Sequence, residues 1–122
     1  MNVTSEQTNE TFPMAVVYPT NHPSKVVRFG PFEMALSVGA VVAKGKFHLV
    51  IISHGSGGSN LAYRSIAFAL VERGFIVGMP LHPKNNYQDN SDEGSVRNWE
   101  QRPKHIKAAI SRLLSSPTLS PT

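Results

Sequence analysis

The sequence predicts an α/β protein: a small, mostly parallel sheet with helices on both faces and two antiparallel strands added at the N-terminal side. Three observations lead there. Phe47–Ile52 is almost continuously apolar and ends at a glycine-rich loop, as a strand covered on both faces does. Residues 61–73 form an apolar helical stretch closed by Gly74. A second apolar run, Phe75–Met79, and a striped segment, Pro103–Leu114, complete a strand–helix–strand–helix unit, for which a right-handed parallel crossover is the default. The 122 residues suffice for one domain and not two, and a domain of this size buries roughly two-thirds of its unfolded surface.

In chain order, the polar residues 1–11 are expected to be frayed. Met14–Tyr18 read as a strand stopped by Pro19, and Thr20, Asn21, His22, Pro23 and Ser24 as a loop. Phe32, Met34, Leu36 and Val38 alternate at period two, which predicts a half-buried strand. Gly39–Lys46 connect it to the Phe47–Ile52 strand. Ser59 or Asn60 can cap the following helix, and Gly74 stands where a left-handed residue closes it. Its apolar positions lie nearly all round, so cover from more than one neighbour is expected. Pro80 stops the next strand, and residues 81–98 are a long loop of the kind that carries function. Pro103 suits a first helical turn; Ile106, Ala109, Ile110, Leu113 and Leu114 make one apolar stripe. The domain is therefore drawn over 12–116, with a flexible tail at 117–122.

Composition narrows the function classes. Net charge is +4, with Arg97, Arg102, Lys104, Lys107 and Arg112 near the C-terminus. They read as a solvated helix face, not a nucleic-acid site. There are no cysteines, which excludes disulfides and thiolate metal sites. No apolar run approaches the roughly 20 residues that span a bilayer, and the N-terminus lacks a signal-peptide pattern. The expectation is a cytoplasmic protein with no membrane partner, no nucleic acid and no cofactor.

Chemistry points to His54-Gly55-Ser56-Gly57-Gly58. Glycines free the backbone, and N–H groups beside a helix start suit an anion. A dinucleotide site is disfavoured because Asn60 holds the third glycine place and Met79, Pro80, Leu81 and His82 stand where the ribose-holding acidic residue is expected. A nucleotide-phosphate loop is disfavoured because no Lys-Ser or Lys-Thr follows. An acyl-transfer oxyanion loop fits; a plain strand-to-helix turn is the bland alternative. The five histidines show no metal-ligand spacing: His22, His48, His54, His82 and His105 are expected to be scattered. His54 is read as a loop-shaping residue bonded to backbone, and His82 as lining a cleft mouth at a strand's C-terminal end. Ser56 and Ser59 lack an evident base and read as loop hydrogen-bond groups. Asp89, Asp92 and Glu93 read as a solvated loop, and Trp99 as a packing residue.

FPMAVVYPT (12–20), GPF-x-M-x-L-x-V (30–38), LVIISHGSGGSNLAYRSIAFALVERGFIV (49–77), His82-Pro83 and WEQRP (99–103) together resemble the predicted dienelactone-hydrolase group of the α/β-hydrolases. The SHG-x-G loop is also similar to that of the platelet-activating-factor acetylhydrolases. The resemblance implies the N-terminal half of a serine hydrolase for carboxylic esters or lactones. Ser56 matches the backbone oxyanion donor, with His54, Gly55 and Gly57 in its loop. The family's nucleophile sits on a G-x-S-x-G elbow, which does not occur here. No nucleophile, acid or base is carried over, and the chain is expected to be inactive alone. The alternative is a non-catalytic small-molecule-binding or interaction module. A strand Phe47–Ile52 deprived of its elbow neighbour would expose an apolar edge and self-associate.

Overall fold

The computed structural model of the chain describes residues 1–20, 25–29, 32–36 and 46–116. His22, the rest of the turn before Lys25, Val38, the connection through Gly45 and the tail 117–122 lie outside the described residues.

The polar start of the chain is not frayed. Asn2–Ser5 (β1) and Glu10–Val17 (β2) form an antiparallel hairpin with Val3 opposite Phe12. Its alternation is sparse but sufficient: Val3, Phe12 and Met14 are fully buried, while the Thr4 and Thr11 hydroxyls meet at 3.0 Å on the exposed side. Lys25–Phe29 (β3) and Phe32–Leu36 (β4) pair antiparallel as a separate two-stranded sheet.

His48–Ile51 (β5) is followed by the glycine-rich loop and by the helix Arg64–Glu72 (α1). That helix starts later than expected because residues 59–63 are spent on turns. Ser59 Oγ accepts from Leu61 N–H at 3.2 Å, so it caps the turn and not the helix. Gly74 closes α1 with φ +91°, the left-handed conformation expected there. Phe75–Pro80 (β6) runs parallel to β5, with Val50 opposite Val77. Val96–Leu114 (α2) begins seven residues before Pro103. Ser95 caps it, its Oγ accepting from Asn98 N–H at 3.1 Å. Pro103 therefore sits inside the helix and not in its first turn.

The expected sheet is not the one that forms. The strand order is β1-β2-β6-β5, and only β5–β6 is parallel; β1–β2 and β2–β6 are antiparallel. The four-stranded sheet is thus mixed and mostly antiparallel, not mostly parallel with helices on both faces. The reason is topological. One strand–helix–strand crossover yields one parallel pair, and the N-terminal hairpin fills the far side of β6 with antiparallel strands.

Two apolar clusters hold the layers. Val3, Phe12 and Met14 pack with Ala109 and Leu113 of α2, joined by Leu49 and Ile51. Ala67 of α1 packs with Val77 and Met79, joined by Val50 and Ile52. Gly78 sits where β6 meets α2: a Cβ there would stand 2.8 Å from Leu113 Cδ1 and 2.9 Å from Ile51 Cδ1. The buried stripe of α2 is His105, Ala109 and Leu113. Ile110 and Leu114, expected in the stripe, are exposed. No helix among the described residues is long and apolar enough to cross a membrane.

Candidate active site

At the C-terminal ends of the parallel pair, the loops after β5 and β6 meet the first half of α2. The β5 loop is shaped by its later glycines. Gly57 has φ +72°, and a Cβ on Gly58 would stand 3.0 Å from the Gly55 carbonyl. Gly55 itself has open space around it, so nothing steric requires glycine there. The loop is tied to residues 81–95: Tyr87 N–H donates to Gly58 O at 3.0 Å, and Asn85 Nδ2 donates to Ser56 Oγ at 2.8 Å. Among the described residues the Ser56 and Gly57 N–H groups have no intramolecular acceptor.

His54 is fully buried and bonded to backbone at both ring nitrogens. His82 N–H donates to its Nε2 at 2.9 Å, so Nδ1 carries the proton and donates to Gly55 O at 2.7 Å. It therefore clamps the β5 loop to the end of β6 and has no lone pair free to act as a base. Burial holds it below the ordinary histidine range; the Gly55 bond opposes that, and the charge of Arg102 adds to it.

His82 is not at a cleft mouth but completely buried. It joins a chain of hydrogen bonds that spacing did not reveal. Glu10 Oε1 lies 3.0 Å from His105 Nε2, His105 Nδ1 lies 3.0 Å from His82 Nδ1, and His82 Nε2 lies 2.7 Å from Ser53 Oγ. A carboxylate only accepts, so a neutral His105 donates from Nε2 and accepts at Nδ1. His82 then donates from Nδ1, and its Nε2 accepts the Ser53 hydroxyl proton. Burial, then the charge of Arg102 and the neighbouring rings, pushes His82 down to about 2. Burial also lowers His105, against the opposing pull of Glu10.

Arg102 does not lie on a solvated face. Its Nη1 donates to Asn85 Oδ1 at 2.5 Å, and its Nη2 donates to Ser53 Oγ at 3.0 Å and to the His54 carbonyl. Arg102 stands three residues before His105, which begins the buried stripe of α2; that offset was the available sequence signal. Ser53, Asn85, His105 and Glu10 gave none, because each is placed by a different element.

Beside this network is an open cleft of about 420 Å³, lined in part by Ser56, Asn85, Trp99 and Arg102. Trp99 does not pack: it is 80% exposed and walls the cleft. Asp89 and Glu93 are exposed, and Asp92 pairs with Arg97 at 3.4 Å. Hydrogen bonds from Ser91, through its side chain and backbone, hold Asp89 below the usual carboxylate range. His48 is exposed at the start of β5. Among the described residues no cluster of three or more metal-ligating side chains forms.

The site is thus a glycine-rich loop between a parallel strand and its crossover helix, beside an open cleft. The family model for platelet-activating factor acetylhydrolase, isoform II, matches residues 27–104. That span is more than half of the chain, and the protein belongs to this family. It takes in Ser53, His54, Ser56, His82, Asn85 and Arg102, and leaves out Glu10 and His105. Searches of curated proteins and of solved structures found no match.

Proposed function

We propose that this chain is the oxyanion-bearing, N-terminal part of a serine hydrolase of dienelactone-hydrolase-like specificity, acting on small carboxylic esters or lactones, and that sustained turnover requires a nucleophile elbow absent from its 122 residues. The observation that carries the reading is that the Ser56 and Gly57 N–H groups have no acceptor among the described residues, in a loop braced by His54, Asn85 and Tyr87. Preorganised backbone donors of this kind stabilise the oxygen that gains charge during acyl transfer, and losing one costs about 10²–10³ in rate. Ser56 lines the cleft, so an ester carbonyl seated there lies beside its residue.

The cleft also supports a second reading, a binding module without catalysis. Arg102 offers a cation for an acidic group and Trp99 an exposed apolar ring surface, which together suit a small ligand with an anionic end and an apolar body. One pair of measurements separates the two. Acetate titration followed by amide NMR is expected to move Ser56 and Gly57. Short-chain nitrophenyl esters are expected to show no steady-state turnover by the chain alone. Still amides at Ser56 and Gly57 would remove the oxyanion reading. Fluorophosphonate labelling of Ser56 or Ser59 would overturn the assignment of both as loop groups. Acetate binding at Trp99 and Arg102 with a silent loop would favour the binding module.

A further inference from the structure

Ser53 belongs to neither the glycine-rich loop nor the cleft lining, yet its surroundings are those of a reacting hydroxyl. A nucleophilic serine needs a base within hydrogen-bond reach and a third group that orients the base. Ser53 Oγ has the His82 ring at 2.7 Å; behind that ring stands His105 at 3.0 Å, and behind His105 the Glu10 carboxylate at 3.0 Å. Arg102 Nη2 approaches the same hydroxyl from another side at 3.0 Å. Here the two central rings are buried and Ser53 is exposed at the open end.

We infer that Ser53 is an acceptor for acyl and phosphonyl groups, with His82 as its base and His105 and Glu10 as the route along which its proton leaves. With an activated carboxylic ester, a bond forms from Ser53 Oγ to the acyl carbon. The bond from that carbon to the leaving oxygen breaks, and the phenolate departs with the electron pair. The Ser53 proton passes to His82 Nε2, the His82 Nδ1 proton to His105 Nδ1, and the His105 Nε2 proton to Glu10 Oε1, which ends as a carboxylic acid. Each component has a separate task. Arg102 favours negative charge growing on Ser53 Oγ, but by the same charge it disfavours a cation on either ring. The proton therefore has to travel to Glu10, where it cancels a charge. Deacylation is slow, because it needs a water activated at His82 Nε2 and His82 is completely buried. The chain accepts one acyl group and holds it, which separates this inference from the oxyanion reading.

The experiment treats the full chain with a fluorophosphonate and maps the adduct by peptide mass, then follows nitrophenyl acetate for an initial burst. The expected result is one label per chain, on Ser53, and a burst of one nitrophenolate per chain followed by the background rate. Ser53→Ala loses both. Glu10→Gln is the sharper variant, since its amide oxygen still accepts from His105 Nε2–H but takes no proton. It is expected to keep the wild-type circular dichroism spectrum while labelling slows about 10²-fold, the usual scale of a general base. A folded wild-type chain unlabelled at Ser53, or Glu10→Gln labelled at the wild-type rate, overturns the inference.

Discussion

His105 Nε2 donates to Glu10 Oε1 across 3.0 Å, although the two residues are 95 positions apart in the chain. The bond ties the start of the buried α2 stripe to the first residue of β2. Glu10→Ala would leave the His105 N–H buried without an acceptor, a defect that costs about 1–3 kcal/mol. Urea unfolding is expected to show a loss in that range for Glu10→Ala and a much smaller one for Glu10→Gln. Equal losses would mean that the carboxylate's charge, and not its acceptor oxygen, supports the fold.

Stability should fall with acid from near-neutral pH. His54, His82 and His105 are all held below the ordinary histidine value of 6.5, burial being the first cause for each. Well above that value the rings are neutral folded and unfolded, and contribute no pH dependence. As pH drops below 6.5, the unfolded rings take up protons that the folded ones refuse. The unfolded state then binds more protons, and stability is lost at up to about 1.4 kcal/mol per pH unit for each such ring. His82, with a folded value of about 2, goes on contributing to that loss down to the acid limit. Urea midpoints between about pH 7.5 and 4.5 are expected to be level at the upper end and to decline through the acid half of the range. A midpoint that does not move over that range would contradict the burial of these rings.

Two glycines should respond differently to the same substitution. Gly78→Ala places a methyl within 3.0 Å of Leu113 and Ile51, both in the α2 cluster. Those are side-chain ends, so the cluster yields at a cost of about 1–3 kcal/mol. Gly55→Ala meets nothing within 4 Å and should leave the urea midpoint almost unchanged. The pair is checked by one chemical-denaturation series; similar losses at both positions would show that the loop, too, is closely packed.

The β5 strand has β6 on one side and, among the described residues, no strand on the other. Its residues Leu49, Val50 and Ile51 carry no charge or proline to blunt that edge. We expect concentration-dependent self-association through β5, read as rising mass in light scattering. His48→Lys is the suitable variant, since His48 is exposed, whereas Ile51 packs in the core cluster and a lysine there would test the core instead. A wild-type chain monomeric at every concentration would rule the edge out as an interface.

Much of the second half was legible before folding. The apolar run at β5, the glycine-rich loop, the apolar strand after Gly74 and the C-terminal helix are local patterns, each set by side-chain periodicity or by what glycine permits. His54 as a backbone-bonded loop residue followed from its place at a strand end. The family resemblance lay in the same stretch, because close contact between loop and helix start constrains neighbouring residues directly.

What only the tertiary structure decided is which distant segments meet. No periodicity states that β2 pairs with β6, so the mostly antiparallel sheet could not be read from runs of apolar residues. The polar opening segment folds because Val3 and Phe12 are buried against α2, a gain invisible until α2 is placed. The stripe of α2 turned inward at His105 and Arg102 for a related reason: a buried polar group is tolerated when partners complete its hydrogen bonds. Those partners, Glu10, Ser53, His82 and Asn85, come from β2 and from the loops after β5 and β6. Sequence by itself determined the local elements and the glycine-rich loop between β5 and α1; three-dimensional pairing alone assembled the Ser53–His82–His105–Glu10 chain of hydrogen bonds, because hydrogen bonds between residues so far apart leave no local pattern in the chain.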